Sequence, residues 1–241
     1  MRVFLPLLPG LGEGGRGDEG PIKSSKHKMT NETQRYYLVR HGVTEWNRVM
    51  RFQGHTDVPL DAEGREQALK IGARIAALPE PPVAIYSSDL RRARDTAEAI
   101  AAPLGLTVSA TPELRETYLG AWEGLNRAEI EARGDGVLLA GYIRDSLVHR
   151  PPDSETIEAV YNRMNRVWDE IRAKQHSGPV AIVGHGGSLR ALICAALDAP
   201  LVSMQRFWLD NASLSILEEG LGAETRRHRV VLVNDTGHLR G

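Results

Sequence analysis

An arginine and a histidine stand side by side at positions 40 and 41, directly after the apolar run 36–39. A buried strand that ends in Arg-His-Gly places a cation and an imidazole outside the carboxyl end of a sheet, where open α/β folds carry their chemistry. A histidine there can serve as nucleophile, base or metal ligand. Arg40 narrows the choice, because a fixed positive charge repels a metal ion and attracts an anion, most naturally a phosphate. Three further fragments share this character. Arg91-Arg92 lies one turn into a predicted helix, where the helix start already favours anions. Adjacent helical positions point about 100° apart, so at most one of the two faces a site. Arg115-Glu116 precedes the run 120–124, and His185 stands in Gly184-His185-Gly186-Gly187, where small residues let backbone approach a ligand.

These fragments need a frame that brings them together. From Gln34 onward, short β-like runs alternate with helical ones, which predicts a three-layer α/β/α fold with a mostly parallel central sheet. Strands are expected at 36–39, 83–86, 107–109, 180–183, 214–217 and 230–233. Asp61 reads as the N-cap of a helix with Ala68, Leu69, Gly72, Ile75 and Ala76 inward. Ser87 or Ser88 reads as the cap of a helix to about Ala102, with Leu90, Ala93, Ala97 and Ile100 inward. A short helix is expected at 126–133, a long one at about 154–175, and another after His185. Residues 134–152 carry no clear pattern, and Gly220 and Gly222 mark the loop between the last two strands. In this frame two histidines and an arginine emerge at strand-to-helix junctions, at one end of one sheet.

Composition restricts the partners. The 241 residues carry a net charge of −1, so no global field points to nucleic acid or a membrane surface. No run approaches the ~20 apolar residues of a membrane span. The single cysteine, Cys194, excludes an intrachain disulfide framework and a Cys-rich metal site; it reads as a small buried hydrophobe, and a cytoplasmic location is expected. Residues 1–33 are rich in glycine and charge and read as a disordered leader to a domain spanning 34–241, with Met29 as an alternative start.

The ordered motifs resemble those of the histidine phosphatase superfamily, the phosphoglycerate mutase-like enzymes. The resemblance runs from Leu38-Val39-Arg40-His41-Gly42 with Thr44, Trp46 and Asn47, through Arg51-Phe52-Gln53-Gly54, Pro59-Leu60 and Gly64. It continues at Ser88-Asp89-Leu90, Arg92-Ala93, Thr96-Ala97, Leu114-Arg115-Glu116 and Gly184-His185-Gly186-Gly187, and covers residues 35–240. It implies a phosphoglycerate mutase-like fold and a nucleophilic His41 that becomes phosphohistidine. Arg40, Arg92 and His185 would bind the phosphoryl oxygens, and Asn47, Gln53, Gly54 and Gly186 would complete the pocket. Glu116 would be the general acid. Val43 departs from the family, which often has Glu there, at a position not expected to do chemistry.

The chemistry agrees with these roles. Phosphoryl transfer asks for positioning and charge stabilisation. Two guanidinium forks supply both, and should depress the pKa of a neighbouring histidine so that a ring nitrogen stays free to attack. The other ring nitrogen must donate a hydrogen bond, with nearby backbone as the expected acceptor, to hold the tautomer. Glu116 beside an anionic substrate should hold a proton for the leaving alkoxide and then act as base toward water. No metal and no cofactor is expected.

Three activities fit: a phosphomonoesterase, a cofactor-dependent phosphoglycerate mutase, and a non-catalytic phosphate-binding module. The resemblance favours the first, since mutases usually have Thr, Ser or Cys where Gln53 stands. The segment 125–154 also looks shorter than the mutase counterpart, though Arg144 and Arg150 could imitate part of its basic insertion. The run 151–156 resembles the family's Gly-Gly-Glu-Ser turn and also reads as a helix cap after a proline turn. The runs 206–213 and 234–239 resemble the metal-independent phosphoserine phosphatase and α-ribazole phosphatase branches, which makes His238 a candidate contact for a substrate carboxylate. The expected partner is a small phosphorylated metabolite, with neither nucleic acid nor membrane, and Phe207 and Trp208 offer a homodimer contact. His55 is placed near the pocket mouth; His27, His149, His176 and His228 read as surface residues.

Overall fold

Every side chain of the run 36–39 is buried, so its strand has no solvent-facing side. That strand, β1 (Thr33–Arg40), therefore sits inside the sheet. The computed structural model describes residues 33–220 and 228–240. Five further strands occur among them: β2 (Ala84–Ser88), β3 (Val108–Thr111), β4 (Val180–Gly184), β5 (Leu214–Gly220) and β6 (His228–Asp235). They form one sheet in the order β3-β2-β4-β1-β5-β6, and β5 alone runs against the rest.

Strand alternation divides the core into two layers. Tyr36 and Leu38 of β1, with Val180 and Ile182 of β4, pack against α6 (Ile157–Ala173) and α7 (Gly186–Ala196). Tyr37 and Val39, with Ala181 and Val183, face the other way, onto α2 (Ala62–Ala76) and α3 (Arg91–Ala101). The result is the expected three-layer α/β/α arrangement. A smaller apolar cluster of Trp122, Ile130 and Leu139, with Phe52 and Tyr142 against it, ties together α4 (Arg127–Ile130) and α5 (Gly136–Arg144). The short α1 (Glu45–Arg48) follows the Arg-His-Gly turn.

Several local expectations need correction. Asp61 does cap α2, accepting from Gly64 N–H at 2.7 Å, but Leu69 is 66% exposed and Ile71 takes the buried position. Neither Ser87 nor Ser88 caps α3. Leu90 occupies the cap position without a side-chain bond, and the carboxylate of Asp57 accepts from Arg91 N–H at 2.7 Å instead. Residues 136–144, in the stretch without pattern, form α5, whose Val137 and Ile143 point outward. Asn126 and Thr156 both cap helices, α4 and α6. His228 is not a surface residue: its ring packs 5.5 Å from that of Trp168, beside the buried Glu219. Thr33 already belongs to β1, while the remainder of the expected leader, Met29, His27 and Gly222 lie outside the described residues.

Candidate active site

Parallel pairing of β1 with β4 puts Arg40 opposite Gly184, so the next residue of each strand, His41 and His185, leaves the sheet beside the other. Their ring centroids are 5.1 Å apart with planes at 61°, and both side chains are buried. A carbonyl can only accept, so the 2.7 Å contact of His41 Nδ1 with Gly42 O places the proton on Nδ1 and the lone pair on Nε2. A guanidinium can only donate, so the 3.2 Å bond from Arg92 Nε to His185 Nδ1 places the lone pair on Nδ1 and the proton on Nε2. Burial first, and then the charges of Arg92 and Arg40, hold both histidines well below the ordinary imidazole pKa.

Arg92 is 1% exposed, whereas Arg91 faces solvent. Besides His185, Arg92 donates to Thr56 O and Gly54 O, each at 2.8 Å, which leaves two of its five N–H groups for a ligand. Burial lowers its pKa to about 10, so it remains cationic at neutral pH. Arg40 donates to Leu209 O at 2.6 Å, but its buried Nε has no hydrogen-bond partner, and neither has His185 Nε2. A buried N–H without an acceptor costs about 1–3 kcal/mol. An anion seated against these groups would satisfy them.

Arg40, His41, Asn47, Gln53, Gly54, Arg92 and Glu116 line one cavity of ≈ 200 Å³. Thr44, fully buried and not foreseen as a site residue, sets the direction of two of them. Its N–H donates to Asn47 Oδ1 at 3.1 Å and its hydroxyl to Gln53 Oε1 at 3.1 Å, so each amide keeps its NH₂ for a ligand. Asn211, also not foreseen, donates to His41 O at 3.0 Å. Gly54 has φ +51°, and a β-carbon there would overlap Glu123, whose carboxylate accepts from His55 N–H, Leu119 N–H and Thr56 Oγ1.

Glu116 is held by the first turn of α7. It accepts from Thr117 N–H, Gly187 N–H and Ser188 N–H, all at 2.9 Å. The approach is close enough that a β-carbon on Gly187 would overlap Glu116 Oε1. These three backbone donors fix the position of the carboxylate against the start of α7.

The sequence comparison matches residues 36–236 to the family described as histidine phosphatase superfamily (branch 1). The chain belongs to the histidine phosphatase superfamily. A glucosyl-3-phosphoglycerate phosphatase of Mycolicibacterium vanbaalenii is 38% identical over 175 residues, covering 70% of this chain and 76% of that protein. Among solved structures, a mycobacterial glucosyl-3-phosphoglycerate phosphatase in complex with VO3 is 34% identical, with TM-score 0.75, covering 84% of this chain and 99% of that one. The α-ribazole phosphatase from Shigella flexneri is 27% identical with TM-score 0.73, over 83% of this chain and 96% of that one. The phosphoglycerate mutase-like fold is thus shared along nearly the full length of the two solved phosphatases.

Not every residue singled out in this histidine phosphatase sequence meets the cavity. Gly186 touches Arg40 from behind, with 3.5 Å between the position of a β-carbon and Arg40 Nε. Arg115 forms a bidentate pair with Asp89 at 2.7 and 2.6 Å. His238 lies in the turn after β6 and is not on the cavity wall. The end of β6 pairs with Leu214, which pairs with Val39, so the turn stands at the correct end of the sheet but two strands out, about 10 Å from β1. Val43 is also off the wall; its backbone is tied to Asp61 and Gln67. Trp208 is 71% exposed, while Phe207 packs on the core.

Among the wall residues not foreseen as part of the site are the polar side chains of Arg51, Thr117, Tyr142 and Arg190. Arg163, 8% exposed on α6, is a further omission: it donates to Glu113 O at 2.6 Å, Arg115 O at 2.9 Å and Glu116 O at 3.4 Å, and pairs with Glu155. Its signal was present, a lone charge between Val160 and Met164 on the buried stripe of that helix. Among the described residues, no group of three or more His, Cys, Asp or Glu side chains could hold a metal ion, and no helix is long and apolar enough to cross a membrane.

Proposed function

We propose that this chain hydrolyses the monophosphate ester of a small metabolite through a phosphohistidine on His41. The observation that carries the reading is the tautomer of His41: with Nδ1 bound to Gly42 O, the Nε2 lone pair is the nucleophile, at a cavity walled by Arg40 and Arg92. Nε2 attacks phosphorus, and the P–N bond forms as the P–O bond to the alcohol breaks. Arg40, Arg92 and His185 Nε2–H take the charge of the phosphoryl oxygens. The leaving oxygen takes a proton from Glu116. Glu116 then accepts a proton from water, whose oxygen attacks phosphorus and releases His41 and phosphate.

Water is the acceptor in this reading. Arg144 and Arg150, the cations that could imitate a mutase's grip, are not on the cavity wall, and Gln53 is. The relatives named for glucosyl-3-phosphoglycerate and α-ribazole phosphate supply the first substrates to assay, with phosphoserine and 3-phosphoglycerate beside them. Rapid quench with labelled substrate should trap acid-labile phosphate on the wild type and none on His41→Ala. No label on the wild type, or phosphoryl transfer to substrate exceeding hydrolysis, would overturn the proposal.

A further inference from the structure

Four arginines reach the cavity wall: Arg40, Arg51, Arg92 and Arg190. Arg51 is neutralised, with two N–H groups on the carboxylate of Glu129 at 2.7 and 3.0 Å. Arg40 and Arg92 flank His41 and belong to the phosphoryl group in the reading above. Arg190 has neither employment. Its Nε donates to Gly186 O, one turn back on α7, at 3.0 Å, and no carboxylate pairs with it among the described residues. Part-buried arginines elsewhere in the chain do find acids: Arg35 has Glu218, Arg115 has Asp89, Arg163 has Glu155 and Arg172 has Glu219.

Charge and space both point to an acidic substrate. Once Glu116 holds the proton it must deliver, Arg40, Arg92 and Arg190 set three positive charges against the two of a phosphate ester. Among the described residues, Glu116 is the only acidic side chain on the wall. Tyr142 adds a donor, since burial pushes its pKa up to about 12 and keeps the hydroxyl protonated. Arg190 stands one helical turn beyond Gly186, about 6 Å along the axis. The ≈ 200 Å³ of the cavity, roughly six or seven water volumes, accommodates a phosphate and a three- or four-carbon acid.

We propose that Arg190 binds a carboxylate of the substrate, which makes the natural substrate a small phosphorylated carboxylic acid. The inference rests on the phosphatase reading for its charge count, and its test separates the two. The probes are 3-phosphoglycerate and glycerol 1-phosphate, which differ only in carboxylate against hydroxymethyl. Wild-type kcat/KM should favour the acid by roughly ten- to hundredfold, the worth of one charged hydrogen bond or pair. Arg190→Met, which keeps the apolar stem, should abolish that preference, with a much larger loss of kcat/KM on 3-phosphoglycerate than on glycerol 1-phosphate. Arg190→Lys should restore part of it. Calorimetry in the His41→Ala background reads the same preference as affinity, without turnover. Selective binding by a protein that hydrolyses neither ester would sink the phosphatase reading and leave the role of Arg190 standing. Equal handling of the two probes by the wild type, or an equal loss on both in Arg190→Met, would overturn the proposal.

Discussion

His41 and His185 face each other across 5.1 Å in opposite tautomers, one presenting a lone pair at Nε2 and the other a proton. Two chemically identical side chains are thereby given opposite characters by their second ring nitrogens. Gly42 O makes His41 a nucleophile, and Arg92 makes His185 a donor. Protonation would remove the lone pair of His41 Nε2, and at His185 it would set an N–H against Arg92 Nε–H, so the site depends on both rings staying neutral.

Burial and the two arginines lower both histidine pKa values, and this fixes the pH response. The acid limb of kcat/KM should lie well below pH 6.5, the ordinary value for a free imidazole. Arg92→Met, which removes a charge, should move the limb upward. A wild-type limb at 6.5 would contradict the arrangement. Stability follows the same sign. Below about pH 6.5 the unfolded chain takes up protons that the folded one refuses, so each histidine lowers stability by up to about 1.4 kcal/mol per pH unit until its folded pKa is reached. Urea denaturation at pH 7.5, 6.5 and 5.5 measures this, over the background of other titrating groups.

Glu116→Gln keeps the shape of the side chain and removes the transferable proton. Hydrolysis of an alkyl phosphate should fall by roughly 10²–10⁴-fold. The first step with p-nitrophenyl phosphate, whose phenolate leaves unaided, should fall far less, and phosphoenzyme should accumulate because water is no longer activated. Equal losses of the first step on both esters would remove Glu116 from the acid role.

Gly187→Ala tests placement instead of chemistry, because the new methyl overlaps Glu116 Oε1. A carboxylate displaced by about 1 Å costs on the order of 10²-fold in rate. The variant should reproduce the leaving-group dependence of Glu116→Gln while folding normally by circular dichroism. Full activity would mean that Glu116 need not sit against α7.

Arg163→Met should lose stability and activity together. The buried guanidinium holds the backbone of residues 113–116, and its removal strands Glu155, at a cost of about 3–5 kcal/mol for one partner of a buried pair. Arg163→Met with Glu155→Gln should be less destabilised than the single variant. Additive losses in chemical denaturation would show that the pair is not coupled.

What the sequence made legible was mostly local. The apolar runs of β1 and β4 are buried on both faces and so located those strands. Asp61, Asn126 and Thr156 cap helices through their own neighbours within three residues, which a linear reading can see. The cap of α3 was invisible because its acceptor, Asp57, comes from 34 residues away. Helix α5 was missed because Val137 and Ile143 face solvent and blur its period. Of the ten site residues expected, seven line the cavity; His185 is joined to it through Arg92, and Gly186 and His238 are off its wall. Arg190 and Tyr142 were not foreseen, because only the packing of α5 and α7 around the sheet end makes them neighbours of His41.

The β1–β4 register that aligns Arg40 with Gly184 has one more consequence. The two histidines are held by the central ladder of the sheet, and not by a lid or a mobile loop. The placement of the two histidines is therefore tied to the pairing of β1 with β4. Phosphate or vanadate bound there should slow amide exchange along the whole centre of β1 and β4, through global unfolding, and not merely at the contacting residues. In this molecule, ligand binding is linked to the unfolding of the central sheet.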